Sequence, residues 1–340
     1  MTRLGSALKR HLRLIAPETK AGINRKIRQA MCKRILAIVD EAQIRALART
    51  LNIPLIGITD PTPLNNFLPR LQARQGANGR TIPFVRTEAE KRIDFRSVMP
   101  TVQTVIVIGV PYPLFPERAA VPGEGRIASV ACGEDYHWVV GRKMAALVAA
   151  LKDLSPEPHA FQTYVDNSCL IDKASAWRAG LGFFGKNNLL IHPDYGSAFN
   201  IGQILTDLPV AFTKAAPMPC RCGDCDRCLK ACPTGALGEG FTLDYTRCLS
   251  NLTQQKRLLP EEATHIQTFV YGCDYCQWSC PFNRKAATIS ATQAYGDLEM
   301  LSEIAEADFE TNFGERSLAW RGAAVLRRNA RLVKAKNTKK

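Results

Sequence analysis

Seven cysteines in the second half of the chain stand at spacings that suit iron–sulfur ligation. The first run has the form C-x2-C-x2-C-x3-C-P and consists of Cys222, Cys225, Cys228 and Cys232, followed by Pro233. A partial second run consists of Cys273, Cys276 and Cys280, followed by Pro281. Two runs that each end in Cys-Pro are typical of a module with two [4Fe–4S] clusters, in which the last cysteine of each run ligates the other cluster.

The second run lacks its first cysteine, because Val270 stands three residues before Cys273. Cys248 is the one cysteine after Cys232 that lies outside both runs, so we take it as the eighth ligand. We assign the first cluster to Cys222, Cys225, Cys228 and Cys280. The second cluster then takes Cys232, Cys248, Cys273 and Cys276. Two zinc ribbons are the alternative, but zinc sites use separated CxxC pairs rather than interleaved runs.

Composition and charge narrow the function classes. The 340 residues are 46% hydrophobic and 22% charged, which predicts a globular protein of about two domains. The longest strongly apolar run, 105–110, has strand length, and no signal peptide is evident near the start, so we expect no membrane span. Thiolate-held clusters require a reducing compartment, which predicts a cytoplasmic protein.

The net charge of +14 is concentrated at the two ends of the chain. Residues 1–34 hold ten Lys and Arg against one Glu, and residues 316–340 hold nine and no acid. Basic ends favour capture of a polyanion such as a nucleic acid, with a solubilising surface as the alternative. The candidate contacts in the tail are Arg321, Arg327, Arg328, Arg331 and Lys334.

Apolar periodicity places these features on an α+β framework. Helices are expected at 23–50, 136–154 and 171–179. Strands are expected at 53–59, 102–110, 161–165, 189–192 and 198–205. Gly180, Gly182 and Gly185 match G-x-G-x-x-G, but a helix precedes this run and a strand follows it. That order is the reverse of a dinucleotide-binding turn, so we do not expect NAD.

Several ordered motifs resemble the epoxyqueuosine reductase family over about residues 40–330. They include Glu-Lys-Arg-Ile-Asp at 90–94, Gly-Glu-Asp-Tyr-His at 133–137, Tyr-Val-Asp at 164–166 and Tyr-Gly-Cys-Asp-Tyr-Cys-Gln at 271–277. The resemblance implies a cobalamin-dependent iron–sulfur enzyme that reduces epoxyqueuosine to queuosine in the tRNA anticodon, the last step of queuosine biosynthesis.

The resemblance and the charge distribution together predict a domain order, in which the basic extension before residue 40 is unusual for the family. A basic helical extension (1–40) precedes a cobalamin-binding α/β catalytic domain (41–215), a ferredoxin-like domain with two [4Fe–4S] clusters (216–290) and a basic helical segment (291–340). The protein is expected to act as a monomer on tRNA and to take electrons from an unidentified low-potential donor. A cobalamin reductase with another substrate and a simple ferredoxin-like electron carrier are the competing readings.

Asp166 matches the family's proton donor and is therefore the expected catalytic acid. An aspartate can donate near neutral pH only if burial raises its pKa, which an apolar corrin would favour. The positions expected to contact cobalamin are Arg92, Asp135, Asp166, Lys186, Asn187, Ser250 and Asp274. Asp135 begins a predicted helix, so N-capping competes with that role. A structural role likewise competes with metal binding for His137.

Three departures from the family pattern bear on substrate choice. Ala128 stands where some members carry a Cys or another polar residue, and Asn167 stands where a Thr or Ser is usual after the aspartate. The next residues are Ser168-Cys169-Leu170, where the family's segment often contains a proline or glycine. We expect these positions to line the substrate pocket.

Overall fold

A computed structural model describes residues 39–75, 88–118, 121–285 and 294–337. The basic extension before residue 39, including most of the helix expected at 23–50, lies outside these residues. In the described residues, no helix is both long enough and apolar enough to cross a membrane.

The helices and strands are numbered in chain order. The helices are α1 Glu41–Thr50, α2 Leu68–Gln75, α3 Ala89–Ile93, α4 Tyr136–Leu154, α5 Asp172–Arg178, α6 Arg227–Ala231, α7 Leu249–Leu252, α8 Pro260–Ala263, α9 Tyr275–Trp278, α10 Leu298–Glu303, α11 Glu306–Phe313 and α12 Ala323–Asn337. The strands are β1 Val39–Asp40, β2 Leu55–Thr59, β3 Thr104–Pro111, β4 Glu124–Ile127, β5 Phe161–Tyr164, β6 Phe183–Phe184, β7 Leu190–Ile191, β8 Phe199–Thr206, β9 Val210–Ala211, β10 Leu237–Gly238, β11 Thr242–Leu243, β12 Phe269–Tyr271 and β13 Tyr295–Asp297.

A four-stranded antiparallel sheet forms the centre of the first half, in the order β2-β3-β8-β5. Side chains alternate across a strand, so Val105 and Val107 of β3 face one apolar core while Ile106 and Ile108 face another. Helix α4 covers the second face, and α5 contributes to the first. Burial on both faces explains why β3 is a continuous apolar run, and the mixed α/β architecture expected from the sequence is confirmed.

The start of α1 corrects the helix expected at 23–50. Val39 and Asp40 are extended and pair in parallel with Val210 and Ala211. Asp40 then caps the helix, because its carboxylate accepts from the Gln43 amide at 2.8 Å while the Gln43 side chain accepts from the Asp40 amide at 3.0 Å. The strand and the cap together fix the helix start at Glu41.

A second core joins segments that are far apart in sequence. Strand β4 lies between β12 and β13, pairing in parallel with β12 and antiparallel with β13. The sheet packs against α10 and α12, with Phe269, Leu301 and Val333 fully buried. The predicted catalytic, ferredoxin-like and C-terminal segments therefore share one core.

The G-x-G-x-x-G run has a packing function. As expected, the run follows a helix, α5, and precedes a strand, β7; it also contains the short strand β6. A Cβ atom at Gly182 would lie 2.5 Å from the Ile191 carbonyl oxygen, so the β6–β7 hairpin requires glycine there.

Candidate active site and cluster sites

Asp166 lies in the turn between β5 and α5. Its φ of +49° is in the left-handed region, which aspartate adopts more readily than most residues. The Asn167 side chain accepts from the Val165 amide at 3.1 Å and stabilises this turn. Arg92 donates to the Cys169 carbonyl at 3.3 Å and holds the segment that follows. The turn presents a carboxylate whose side chain is 56% exposed, so its burial would require a bound ligand.

Four side chains meet at this turn, and we call Asp135, Tyr136, His137 and Asp166 the acid cluster. The Tyr136 hydroxyl donates to one Asp166 carboxylate oxygen, and His137 Nε2 lies 3.3 Å from the other. His137 Nδ1 lies 2.7 Å from Asp135 Oδ1, and the Tyr136 and His137 rings stack with centroids 4.2 Å apart. Histidine therefore bridges two carboxylates at the start of α4.

This bridge changes the protonation of His137. Its hydrogen bond to Asp166 raises the pKa of His137 to about 9, Asp135 reinforces the rise, and partial burial opposes it. The imidazole is then a cation at neutral pH. Burial and the Asp166 charge also raise the pKa of Tyr136, which keeps its proton.

The capping role considered for Asp135 is confirmed, since its carboxylate accepts from the His137 amide at 2.9 Å. Sequence reasoning favoured a structural His137 and passed over Tyr136. The position of Tyr136 and His137 could have indicated this cluster, because residues one and two places after an N-cap aspartate lie beside it at the helix start.

A half-buried carboxyl lies behind the acid cluster. Asp172 begins α5 and accepts a hydrogen bond from the Gln203 side chain of β8. Burial raises the pKa of Asp172 to about 7, with Gln203 opposing the rise and Asp166 adding to it. Sequence analysis missed this residue, because only the tertiary structure buries it.

The four cysteines assigned to the first cluster line one cavity of about 70 Å³. Burial raises the pKa of Cys228, and the adjacent Cys280 and Cys225 add to the rise. Burial also raises the pKa of Cys222, and Cys228 is among the neighbours that contribute to the rise. Thiolates so close repel one another, and bound iron would offset that repulsion.

The other four cysteines form a second group. Burial raises the pKa of Cys273, and Cys276 and Cys248 add to the rise. The pKa of Cys248 is likewise raised by burial, with a contribution from Cys232. Cys228 of the first group contributes to the raised pKa of Cys276, so the two groups are neighbours. Both groupings coincide with the predicted ligand sets, which remain predictions. A single zinc ion would draw its thiolate sulfurs to about 2.3 Å from the metal. Within the described ranges, no three His, Cys, Asp or Glu side chains are grouped closely enough to hold one metal ion.

Four of the seven positions expected to contact cobalamin lie beside the two cysteine groups, and the other three lie at the Asp166 turn and in the acid cluster. Lys186 donates to the Gly223 carbonyl at 2.7 Å and lines the first cavity. Asn187 is buried, and its amide nitrogen lies 3.5 Å from the Cys276 carbonyl.

Two further positions lie beside second-group cysteines. The Ser250 carbonyl accepts from the Gln254 side chain at 2.9 Å. Asp274 is buried and accepts from the Ser129 amide and hydroxyl, both at 2.7 Å. Asp274 therefore joins the cysteine loop to the first half of the chain.

The start of α5 links the acid cluster to the second thiol group. The charge of Asp166 contributes to the raised pKa of Asp172. The next residue, Lys173, lies close enough to Cys248 to lower the pKa of that thiol, against the effect of burial. Lys173 also donates to the Asn188 carbonyl at 2.7 Å. The Asn188 side-chain nitrogen is buried and has no hydrogen-bonding partner in the described structure. Cobalamin carries many amide oxygens, so this unsatisfied donor fits such a ligand.

Ala128 does not have the pocket position expected for it. It is buried in the second core, and a Cβ at Gly272, whose φ is +68°, would lie 2.4 Å from the Ala128 methyl group. A small residue at 128 therefore serves packing against the turn before Cys273, while Asn167 serves the Asp166 turn.

The cations of the C-terminal tail make contacts within the chain. Arg327 donates to the Ile304 carbonyl at 2.7 Å, and Arg331 donates to the Ser302 carbonyl at 3.0 Å. Arg328 donates to Gln255 at 2.6 Å, and Lys334 pairs with Glu299 at 2.5 Å. These groups fasten α12 to the body of the protein, and whether they also contact a nucleic acid stays a prediction.

Comparisons with known proteins agree with this geometry. A family model described as a 4Fe–4S double cluster binding domain matches residues 221–283, and one described as epoxyqueuosine reductase QueG matches residues 92–167. The Bacillus cereus epoxyqueuosine reductase is 33% identical over 302 residues, 85% of this chain and 78% of that protein. The Synechocystis enzyme is 37% identical over 251 residues, 71% of this chain and 86% of that protein.

Solved structures of epoxyqueuosine reductases are also similar. The Streptococcus thermophilus structure is 34% identical, with a TM-score of 0.79, covering 87% of this chain and 81% of that one. A structure with an epoxyqueuosine-modified tRNA-Tyr stem loop has a TM-score of 0.80 at 32% identity and the same coverage. A Bacillus subtilis structure, described with its aspartate catalytic loop swung out of the active site, has a TM-score of 0.79 at 31% identity, again with the same coverage.

Proposed function

Because this chain belongs to the epoxyqueuosine reductase family, we propose that it reduces epoxyqueuosine to queuosine in the anticodon of tRNA. The acid cluster carries this proposal, because it places Asp166 between a phenol and an imidazolium and near residues that reach the second thiol group. The choice of substrate is supported by relatives called epoxyqueuosine reductase and by the structure of a relative with an epoxyqueuosine-modified tRNA stem loop.

The chemistry requires two electrons and two protons. Both carbon–oxygen bonds of the epoxide break, a carbon–carbon double bond forms, and the oxygen leaves as water. Expulsion of an oxyanion is slow unless a proton reaches the oxygen as the bond breaks. The site must therefore hold two protons close to one oxygen.

The clusters that the cysteines would hold would supply the electrons. The family match to a double-cluster domain supports two [4Fe–4S] clusters. Cobalamin, when bound between Asp166 and the second thiol group, would supply a metal centre that passes electrons to carbon. Asn188 and Ser250 would hold it, together with the other positions that match the family.

The chain's own side chains supply the protons. A bound ligand that covers the Asp166 carboxylate and keeps water away favours its protonated form, so Asp166 takes up one proton as the ligand binds and donates it to the departing oxygen. The His137 ring, 3.3 Å from Asp166 and cationic at neutral pH, then returns a proton to the aspartate. Asp135 holds the ring in place, and Tyr136 fixes the other carboxylate oxygen.

The remaining features of the proposal concern its setting. The enzyme acts as a monomer in the cytoplasm, where a reducing environment preserves thiolate-held clusters. A separate low-potential protein or small molecule provides the electrons.

The test is anaerobic incubation of the reconstituted protein with epoxyqueuosine-modified tRNA and a reductant, followed by mass spectrometry of the nucleosides. We expect a product lighter by one oxygen atom, which requires active clusters and cobalamin. Unchanged epoxyqueuosine with a fully loaded protein would overturn the proposal. Conversion by a protein loaded with clusters but free of cobalamin would remove that cofactor from it.

A further inference from the structure

The segment before α12 approaches the acid cluster from the C-terminal side. The Asp135 amide donates to the Glu315 carbonyl at 2.8 Å, so residues after α11 lie against the start of α4. The chain then forms a 3-10 helix, Ser317–Arg321, before α12 begins. This short helix is therefore fixed next to the site where the substrate base must enter.

Trp320 of that helix is a large apolar side chain held in an exposed position. Its side chain is 49% exposed, whereas Leu318 and Ala323 beside it are buried. The indole nitrogen donates to the Tyr271 hydroxyl at 2.7 Å, and the Arg321 guanidinium lies 3.5 Å from the ring centroid. The hydrogen bond and the cation–π contact order the indole in advance, so a ligand that stacks on it costs little entropy.

Tyr271 connects this indole to the acid cluster. The Tyr271 hydroxyl donates to the Ser317 carbonyl at 3.2 Å. Ser317 follows Glu315 by two residues, and the Glu315 carbonyl accepts from the Asp135 amide. The phenol that anchors Trp320 is therefore fixed to the segment that contacts the acid cluster. Trp138, one residue after His137, is 50% exposed. Exposed indoles thus lie on two segments that meet at this site.

We propose that Trp320, backed by Arg321, is a stacking platform for an unpaired nucleobase next to epoxyqueuosine in the anticodon loop. This inference rests on the proposed function and identifies how that site holds its RNA. Single-stranded bases stack on aromatic rings whatever their sequence, and arginine adds a cationic contribution. A rigid indole beside a proton donor would fix the loop while the modified base enters the site.

The experiment compares Trp320→Ala and Trp320→Phe with the unchanged protein. Tyr195→Ala is the matched control, since Tyr195 is an exposed aromatic side chain on a different loop, 38% exposed. Affinity is measured with an anticodon stem loop that carries epoxyqueuosine, and with stem loops in which each base flanking it is replaced by an abasic site. Iron content and the melting temperature report whether each variant folds.

Loss of one stacked base corresponds to about a five- to 150-fold loss of affinity. We expect that loss in Trp320→Ala, a smaller one in Trp320→Phe, and none in Tyr195→Ala. The KM for the stem loop should rise while kcat at saturation changes little. One abasic stem loop should bind the unchanged protein more weakly but bind Trp320→Ala no more weakly than the intact stem loop does.

Two results would overturn the platform. One is an affinity in Trp320→Ala within twofold of the unchanged protein. The other is an equal loss with the intact and both abasic stem loops, which would assign Trp320 a purely structural role. If Trp320→Ala does not fold, the same comparison with Trp320→Phe decides. Failure of the unchanged protein to bind or convert any modified stem loop would instead count against the proposed function.

Discussion

Replacing Asp166 with Asn separates its two effects on the acid cluster. Asparagine keeps the size of the side chain but carries no charge and no carboxyl proton. We expect turnover to fall by about 10²–10⁴-fold, which is the usual contribution of a positioned general acid. We also expect the pKa of His137 to fall from about 9 toward 6.5, because the hydrogen bond to Asp166 is the main cause of its rise. It should stay above 6.5, since Asp135 remains 2.7 Å from the ring.

The same shift has a consequence for stability. A folded-state pKa above the unfolded value of 6.5 stabilises the protein fully below pH 6.5, and the contribution is lost as pH rises toward about 9. The full shift corresponds to about 3 kcal/mol for a shielded group. The His137 side chain is 38% exposed, so screening by solvent reduces this to about 1–2 kcal/mol. Asp166→Asn should lose less stability than the unchanged protein over that pH range.

The pKa is measured by NMR titration of histidine-labelled protein with oxidised clusters, and His137→Gln identifies the signal among the five histidines. Unfolding in urea at pH 6 and pH 9.5 gives the stability difference. An unaltered His137 pKa in Asp166→Asn would refute the bridge between the two carboxylates. Near-normal turnover in that variant would transfer the acid role to another group.

Three further predictions test the clusters and the packing. Cys248→Ala should lower the iron content from about eight to about four atoms per chain and remove one cluster's EPR signal on reduction; full iron content would disprove the ligand assignment. Truncation after Ala330 removes the fully buried Val333 and the contacts of Arg331, so the free energy of unfolding should fall by about 2–4 kcal/mol, whereas an unchanged melting temperature would show that the end of α12 is dispensable. Gly182→Ala should destabilise by about 1–3 kcal/mol through its clash with the Ile191 carbonyl, and an unaffected urea midpoint would show that the β6–β7 hairpin yields.

The features that the sequence revealed are those in which local pattern and chemistry coincide. Cysteine spacing predicted two ligand sets whose members the fold brings together, although Cys248 and Cys280 join their sets only through tertiary structure. Helix α4 was predicted at its observed bounds, because its apolar stripe and its capping aspartate indicate the same element. Strand β3 was likewise predicted, because a strand buried on both faces is a continuous run of mostly β-branched residues.

The features that the sequence did not reveal depend on distant partners. Asp40 ends a strand because Ala211 pairs with it, and no local signal separates that strand from a helix extending backwards. The tail arginines were candidate contacts for a nucleic acid, and the carbonyl partners of Arg327, Arg328 and Arg331 could not be identified because every sequence contains such groups. The bridging role of His137 and the burial of Asp172 depend in the same way on the position of the Asp166 turn.

The shared second core implies an order of biogenesis. Tyr271, the last residue of β12, precedes Cys273 by two positions, and β12 is held by β4, about 140 residues earlier in the chain. Contacts of such long sequence separation form late and slowly. Cys273 and Cys276 follow β12 directly, so we expect their placement to depend on this late pairing and on the second core around it. We expect a nascent chain that ends before residue 295, and so lacks β13, α10 and α12, to leave the second thiol group unassembled.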